Sequence, residues 1–250
     1  MDLDNTSILM KTTTGPNGKG RYYVIDENTK FPSVTTIIGE MTDKSGLEKW
    51  KKRVGEKQAN EISKNSADRG TFMHELNERY QYLLVNEKDN GNILQKTFED
   101  VLAKPELSKI DPQNKEKGKN LFVKMLNYGL FDRIDELVMQ EEALWSERGG
   151  GYAGRVDKIA RIDNNLLIID YKSSRKPKKE EWIENYKMQL AAYSVAYYDR
   201  YGELPHGAEI WIANDVNDKP QVFQMNRRDI KEYFEKFIEL VQGYHKKVNN

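Results

Sequence analysis

Apolar residues recur along this chain at two spacings, and the switches between them lay out the elements. Alternation or short unbroken apolar runs predict strands over 21–25, 137–146, 152–162, 166–173 and 206–213, with a short one around Val222-Phe223. Helical spacing predicts a helix over about 45–62, with Leu47, Trp50 and Val54 on one face, and another over 67–85, with Met73, Leu76, Tyr80 and Leu83 as its stripe. Two more follow, over about 178–201 and 227–247. Residues 86–135 are polar and read as two helical pieces interrupted by Pro105 and Asp111-Pro112. The β-branched segment 31–38 reads as a strand whose start Pro32 confines to an edge or a turn. Residues 1–20, rich in glycine at their end, read as a loose arm or an edge hairpin. No repeat is present, and the order of elements is mixed α/β in one domain.

Chemistry concentrates on one predicted hairpin. Asp157 lies in Gly-Arg-Val-Asp on its first strand, and Asp170 and Lys172 lie in Leu-Ile-Ile-Asp-Tyr-Lys on its second. Side chains alternate, so Asp170 and Lys172 share a face. A two-residue Asp163-Asn164 loop would pair Ile162 with Asn165 and bring Asp157 opposite Asp170; a longer loop would shift that register by one. Two carboxylates so placed repel unless a cation sits between them. The run Leu166-Leu-Ile-Ile169 is continuous, as in a strand covered on both faces, where terminal charges need partners. On the helix over 67–85, His74 and Glu78 share a face with Gly70. Gln189 and Tyr193 are likewise four apart on the helix after the hairpin.

Composition narrows the chemistry. Among 250 residues there are no cysteines and three histidines. That leaves no disulfide, thiolate zinc site or iron–sulfur cluster, so any metal must be held by oxygen and imidazole, which favours Mg²⁺ or Mn²⁺ and not zinc. No segment has the length of an apolar membrane span. The start, Met-Asp-Leu-Asp-Asn-Thr, lacks signal and transit patterns, so a cytoplasmic location and no membrane partner are expected. Net charge is zero, which gives no support for a nucleic-acid partner. Local basic runs exist all the same, at Lys51, Lys52 and Arg53 and at Lys172, Arg175, Lys176, Lys178 and Lys179.

In order, these parts resemble the PD-(D/E)XK nuclease superfamily, nearest to the RecB-type branch that includes the mitochondrial genome maintenance exonuclease and phage relatives. The resembling pieces are Phe31-Pro-Ser-Val-Thr-Thr, Arg69-Gly-Thr-Phe-Met-His74-Glu-Leu-Asn-Glu78, Glu142, Gly151-Tyr-Ala-Gly-Arg-Val-Asp157, Ile169-Asp170-Tyr-Lys172-Ser-Ser-Arg-Lys-Pro177 and Gln189-Leu-Ala-Ala-Tyr193. The resemblance implies a restriction-endonuclease-like core over about 67–85 and 137–213, a central mixed sheet flanked by helices, with a helical insertion over about 86–135. It implies one or two Mg²⁺ or Mn²⁺ ions held by His74, Asp157, Asp170 and the Tyr171 carbonyl, with Asp157, Asp170 and Lys172 catalytic. Glu78, Glu142, Ser173, Gln189 and Tyr193 would support the site or the DNA. Val156 stands where the superfamily's usual proline precedes the first aspartate.

The activity implied is a metal-dependent DNA exonuclease preferring single strands, in replication, repair or recombination. Basic runs would track phosphates, and Tyr22, Tyr23, Trp50 and Tyr152 are available to stack bases, although most of these aromatics read better as core. A structure-specific or restriction-like endonuclease, and a DNA-end-binding module that has lost catalysis, are the alternatives.

Overall fold

The computed structural model describes residues 12–15, 18, 20–87 and 90–249. Most of the expected arm over 1–20 lies outside the described residues. Its described part includes strand β1 (Thr12–Thr14), which pairs antiparallel with β2 (Arg21–Val24), and β2 pairs with β3 (Lys30–Pro32). This small sheet leads into α1 (Val34–Met41).

Of the strand expected over 31–38, only residues 31–32 lie in a strand, β3, and helix α1 replaces the rest from Val34. Ser33 caps it, its Oγ accepting the Thr36 N–H at 3.0 Å. Val34, Ile37 and Ile38 then fall on one buried face at helical spacing. Cap and spacing together outweigh the β-branched composition. Helix α2 (Ser45–Val54) ends at Gly55, whose φ of 85° suits glycine. From there α3 (Glu56–Asn86) runs unbroken through the gap expected near residues 62–67.

The segment expected as an insertion contains α4 (Ile93–Leu102) and α5 (Pro112–Asn127), the latter opened by an Asp111 cap and Pro112. Gly118 of α5 lets it approach α3 closely: a Cβ there would lie 2.8 Å from the Arg69 carbonyl. Five strands follow as one mixed sheet: β4 (Glu136–Ser146), β5 (Tyr152–Ile162), β6 (Asn165–Ser174), β7 (Gly207–Asn214) and β8 (Gln221–Asn226), paired in that order. Helix α6 (Glu184–Tyr201) links β6 to β7, the parallel pair, and α7 (Arg227–Asn249) is the last element.

The β5–β6 hairpin has the register counted from the sequence. Ile162 pairs with Asn165 across Asp163 and Asn164, whose φ values of 51° and 62° make a primed turn. Two cores lie on the sheet's two faces. One holds α1, α6 and α7 residues, among them Ile37, Leu190, Phe237 and Val241. The other holds Phe72, Met73 and Leu76 of α3 with Leu121, Phe122 and Trp211. Leu166 and Ile168 point to the first and Ile169 to the second, as a strand covered on both faces requires. Among the described residues no helix is long and apolar enough to cross a membrane.

Candidate active site

The site lies where β5 and β6 part. Their ladder stops at Lys158↔Ile169, although β5 begins at Tyr152 and β6 continues to Ser174. Past that point β5 stays with β4 and β6 stays with β7. The fork leaves Tyr171 N–H without a β5 carbonyl, and Asp157 Oδ2 accepts it at 2.8 Å. Asp157 is thereby fixed at the fork's base.

On the α3 side of this fork three ligand groups converge. One ligand atom each from His74, Glu141 and Asp157 lie within 4.8 Å of one another. His74 Nδ1 is 3.5 Å from Asp157 Oδ2. The His74 ring packs edge-on against Tyr171 with centroids 5.8 Å apart. The third member is Glu141, where the resemblance pointed to Glu142. Glu142 is exposed, whereas the Glu141 side chain is 20% exposed and lies 3.7 Å from Arg155 Nη1. The reason is local backbone. Glu141 has φ 53°, a left-handed conformation uncommon outside glycine. It shifts the strand's alternation by one, so Gln140, whose Nε2 donates to the Glu78 carbonyl on α3, and Glu141 face the same helix. Nothing in the pair Glu141-Glu142 signals which of the two turns inward.

Asp170 stands outside the trio and is tied to the opposite side. Alternation along β6 aims Asp170 and Lys172 toward α6, where Gln189 Nε2 donates to Asp170 Oδ1 at 3.0 Å. The Lys172 ammonium pairs with Asp170 Oδ2 and sits 5.3 Å from the centre of the Tyr186 ring. Tyr193 closes the back of the site. Its hydroxyl accepts from Gln189 at 3.4 Å, and its ring lies where a Cβ on Gly154 would be 2.6 Å away. The glycine of Gly-Arg-Val-Asp is therefore what admits Tyr193. Ser173 reaches α3, its Oγ 3.3 Å from where a Gly70 Cβ would sit. Glu78 is half-buried one helical turn beyond His74.

Electrostatics bind the two halves of the fork. Burial raises the Asp170 carboxyl to about 6; Lys172 opposes the shift and Asp157 adds to it. Burial alone would lower the Lys172 ammonium, but Asp170 and Asp157 outweigh it and hold it above its ordinary value. Burial, and then the Asp157 and Glu78 charges, push Glu141 up to about 8. Glu78 is also raised by burial, against the pull of Lys104, which follows α4 and ion-pairs with Glu75. One further group escaped the sequence reading. Lys158, next to Asp157, is fully buried, donates to Gln81 Oε1 at 2.8 Å and lies over the Phe131 and Tyr171 rings. Burial holds its amine well below the ordinary range.

These residues fit a divalent cation. The trio supplies two carboxylate oxygens, hard donors of the type that suit Mg²⁺ and Mn²⁺, and one imidazole nitrogen, a softer donor. Asp170 Oδ2 is buried, pairs with the Lys172 ammonium and takes no further hydrogen bond among the described residues. Burial and, after it, the Asp157 and Glu78 charges raise Glu141, and bound positive charge relieves the repulsion among them. Of the aromatics considered for stacking, Tyr22, Tyr23 and Tyr152 are core residues, and Trp50 is partly exposed on α2.

A family model of the PD-(D/E)XK nuclease superfamily matches residues 19–249. No curated protein sequence matches the chain. Among solved structures, a proposed exonuclease from Eubacterium rectale is 14% identical, with a TM-score of 0.44 over 63% of this chain and 60% of that one. The chain thus spans less than two thirds of that relative's length. The structure named SSO0001 is 19% identical, with a TM-score of 0.32 over 68% of this chain and 74% of that one. Protein VC1899 from Vibrio cholerae is 11% identical, with a TM-score of 0.24 over 94% of this chain and 68% of that one.

Proposed function

Because this chain belongs to the PD-(D/E)XK nuclease superfamily, with its restriction-endonuclease-like mixed sheet flanked by helices, we propose that it is a metal-dependent deoxyribonuclease that digests single-stranded DNA from free ends. The observation that carries this reading is the convergence of His74, Glu141 and Asp157 beside the Asp170–Lys172 pair. In this reading the trio holds Mg²⁺ or Mn²⁺, with Asp170 and the Tyr171 carbonyl completing the set from the other arm of the fork. Such an ion, when bound, lowers the pKa of water and neutralises phosphate charge.

The chain's own residues supply the rest. Asp157, pinned by the Tyr171 N–H, and Asp170, pinned by Gln189, enter the reaction already oriented, so little is lost in ordering them. Lys172 sets its ammonium at the fork's α6 side. With its charge kept by Asp170 and Asp157, it offsets negative charge accumulating on the phosphoryl oxygens and orients the attacking water. Tyr193 and Gln189 keep the Asp170 oxygen aimed. Preference for single strands and ends comes from the branch that the sequence resembles.

Lys172→Ala tests the assignment. Its side chain is 21% exposed, so the fold should survive. Cleavage of labelled single-stranded DNA with Mn²⁺ should vanish, as it should for the wild type in chelator, while binding in chelator persists. Wild-type turnover in Lys172→Ala would refute the role. A closed circular single strand, resistant if ends are required, separates exonuclease from endonuclease action.

A further inference from the structure

A second cleft, of about 220 Å³, opens beside the N-terminal part of the His74 helix and shares no lining residue with the trio. Its floor is Arg69, which is 5% exposed. Arg69 Nη1 donates to Asp215 Oδ2 at 2.8 Å. Its Nε, also buried, has no partner. Lys117 of α5 and Arg175, just past β6, line the same cleft. Both are exposed, and among the described residues neither has an ion-pair partner. Asn114, buried, completes the wall, its Nδ2 held by Asn65 Oδ1 at 2.9 Å.

Three cations therefore face one carboxylate around a small concavity. A buried guanidinium with an unmet donor is costly unless an acceptor arrives from outside. Planar guanidinium donors together with an ammonium suit the oxygens of a phosphate. The cleft also lies close to the fork. Arg69 precedes His74 by five residues on one helix, about 7.5 Å along its axis. Arg175 follows Lys172 by three residues, and Gly70 and Ser173 touch between the two sites. We propose that this cleft is a phosphate subsite, in which Arg69, Lys117 and Arg175 hold a non-scissile phosphate of the nucleic-acid strand whose neighbour is cut at the fork. The proposal rests on the nuclease reading for its substrate.

The test uses the full chain and the variant Lys117→Ala/Arg175→Ala, which alters two exposed side chains and spares the buried Arg69. Affinity for a short fluorescent oligodeoxynucleotide is measured in chelator across a salt series. Losing this one phosphate contact should lower the slope of log K against log salt by about 0.7 for a single strand. Methylphosphonate placed at one position after another should weaken the wild type at one non-scissile position to which the variant is indifferent. Oligonucleotides with and without terminal phosphates identify the source. Dependence on Lys117 and Arg175 confined to phosphorylated ends supports a terminal phosphate, and dependence without them supports an internal diester.

A variant with the wild-type slope and the wild-type methylphosphonate profile overturns the subsite. Cleavage with Mn²⁺ is read on the same material. Wild-type protein that cuts while the pocket variant binds unchanged sinks the subsite alone, whereas protein that neither binds nor cuts sinks the nuclease reading with it.

Discussion

Glu141→Gln should make the metal-free protein more stable and shrink the stability that bound metal adds. In the fold the Glu141 carboxyl is raised from its ordinary value of 4.5 to about 8, first by burial and then by the Asp157 charge. A carboxyl raised on folding gives a contribution that is fully present below pH 4.5 and is lost as pH climbs through the folded value, because the folded state holds a proton that the unfolded chain has released. By pH 7 the loss has run for about two and a half of those units, at about 1.36 kcal/mol each, which is on the order of 3 kcal/mol. The side chain is 20% exposed, so solvent screening trims this only moderately. Glutamine carries no such proton and removes the loss. Denaturant unfolding in chelator should therefore show Glu141→Gln gaining about 2–3 kcal/mol at pH 7 and converging on the wild type near pH 5. With Mn²⁺ the order reverses in the increment. A ligand lost weakens the ion by tenfold or more, so the metal-induced gain shrinks by about 1.4 kcal/mol or more. Glu142→Gln, at an exposed position, should do neither. Equal stability of Glu141→Gln and wild type at pH 7 in chelator, or the same effect from Glu142→Gln, would refute the placement.

Gln189→Leu removes the donor to Asp170 and should cut turnover about 10–100-fold while DNA affinity in chelator holds; unchanged turnover would separate Gln189 from the site. Gly154→Ala drives a methyl to 2.6 Å from the Tyr193 ring, so unfolding should show a loss of about 1–3 kcal/mol, and a neutral result would mean that Tyr193 has room to move. Lys158→Met strands the Gln81 carbonyl oxygen that Lys158 holds and should cost about 1–3 kcal/mol. Adding Gln81→Leu should recover that loss or exceed it, and a double variant less stable than Lys158→Met would contradict a buried, neutral amine.

Much of the frame could be read from the chain, because the residues that set it act locally. Asp163 and Asn164 tolerate left-handed φ, so the two-residue turn and with it the whole hairpin register follow from two side chains. The run Leu166–Ile169 declares a strand covered on both faces. What escaped depends on contacts far apart in sequence or on one residue's backbone. Segment 31–38 has strand composition, and only the Ser33 cap with the 34, 37, 38 spacing reveals a helix. The stretch 63–66 has no apolar stripe, and it stays helical as the continuation of the packed half of α3. The expected direct pairing of Asp157 with Asp170 does not form: their strands part before that pair, so each is oriented by a different helix, Asp157 toward His74 and Asp170 toward Gln189, and a shared cation would bridge the two arms.

Strict alternation could not have built this site. On β4, Met139 and Leu144 join the α6–α7 core, yet Gln140 and Glu141 both reach α3. On β5, Val156 and Ile159 join that same core, while Asp157 and Lys158 both reach α3. Two phase slips side by side thus deliver four polar groups to one helix where perfect pleating would deliver two. On β4 the slip is carried by Glu141 in a left-handed conformation, which costs a non-glycine residue roughly 1–2 kcal/mol. A glycine there would remove that backbone cost but also the carboxylate, so the strained position and the ligand are the same residue by necessity. The same Glu141 also bears the burial and repulsion that raise its carboxyl. Both costs fall on a position whose return in the metal-free fold is a 3.7 Å ion pair with Arg155, and positive charge set among His74, Glu141 and Asp157 offsets the electrostatic one directly. A site selected only to hold the sheet together would place an apolar residue, or a glycine, at 141.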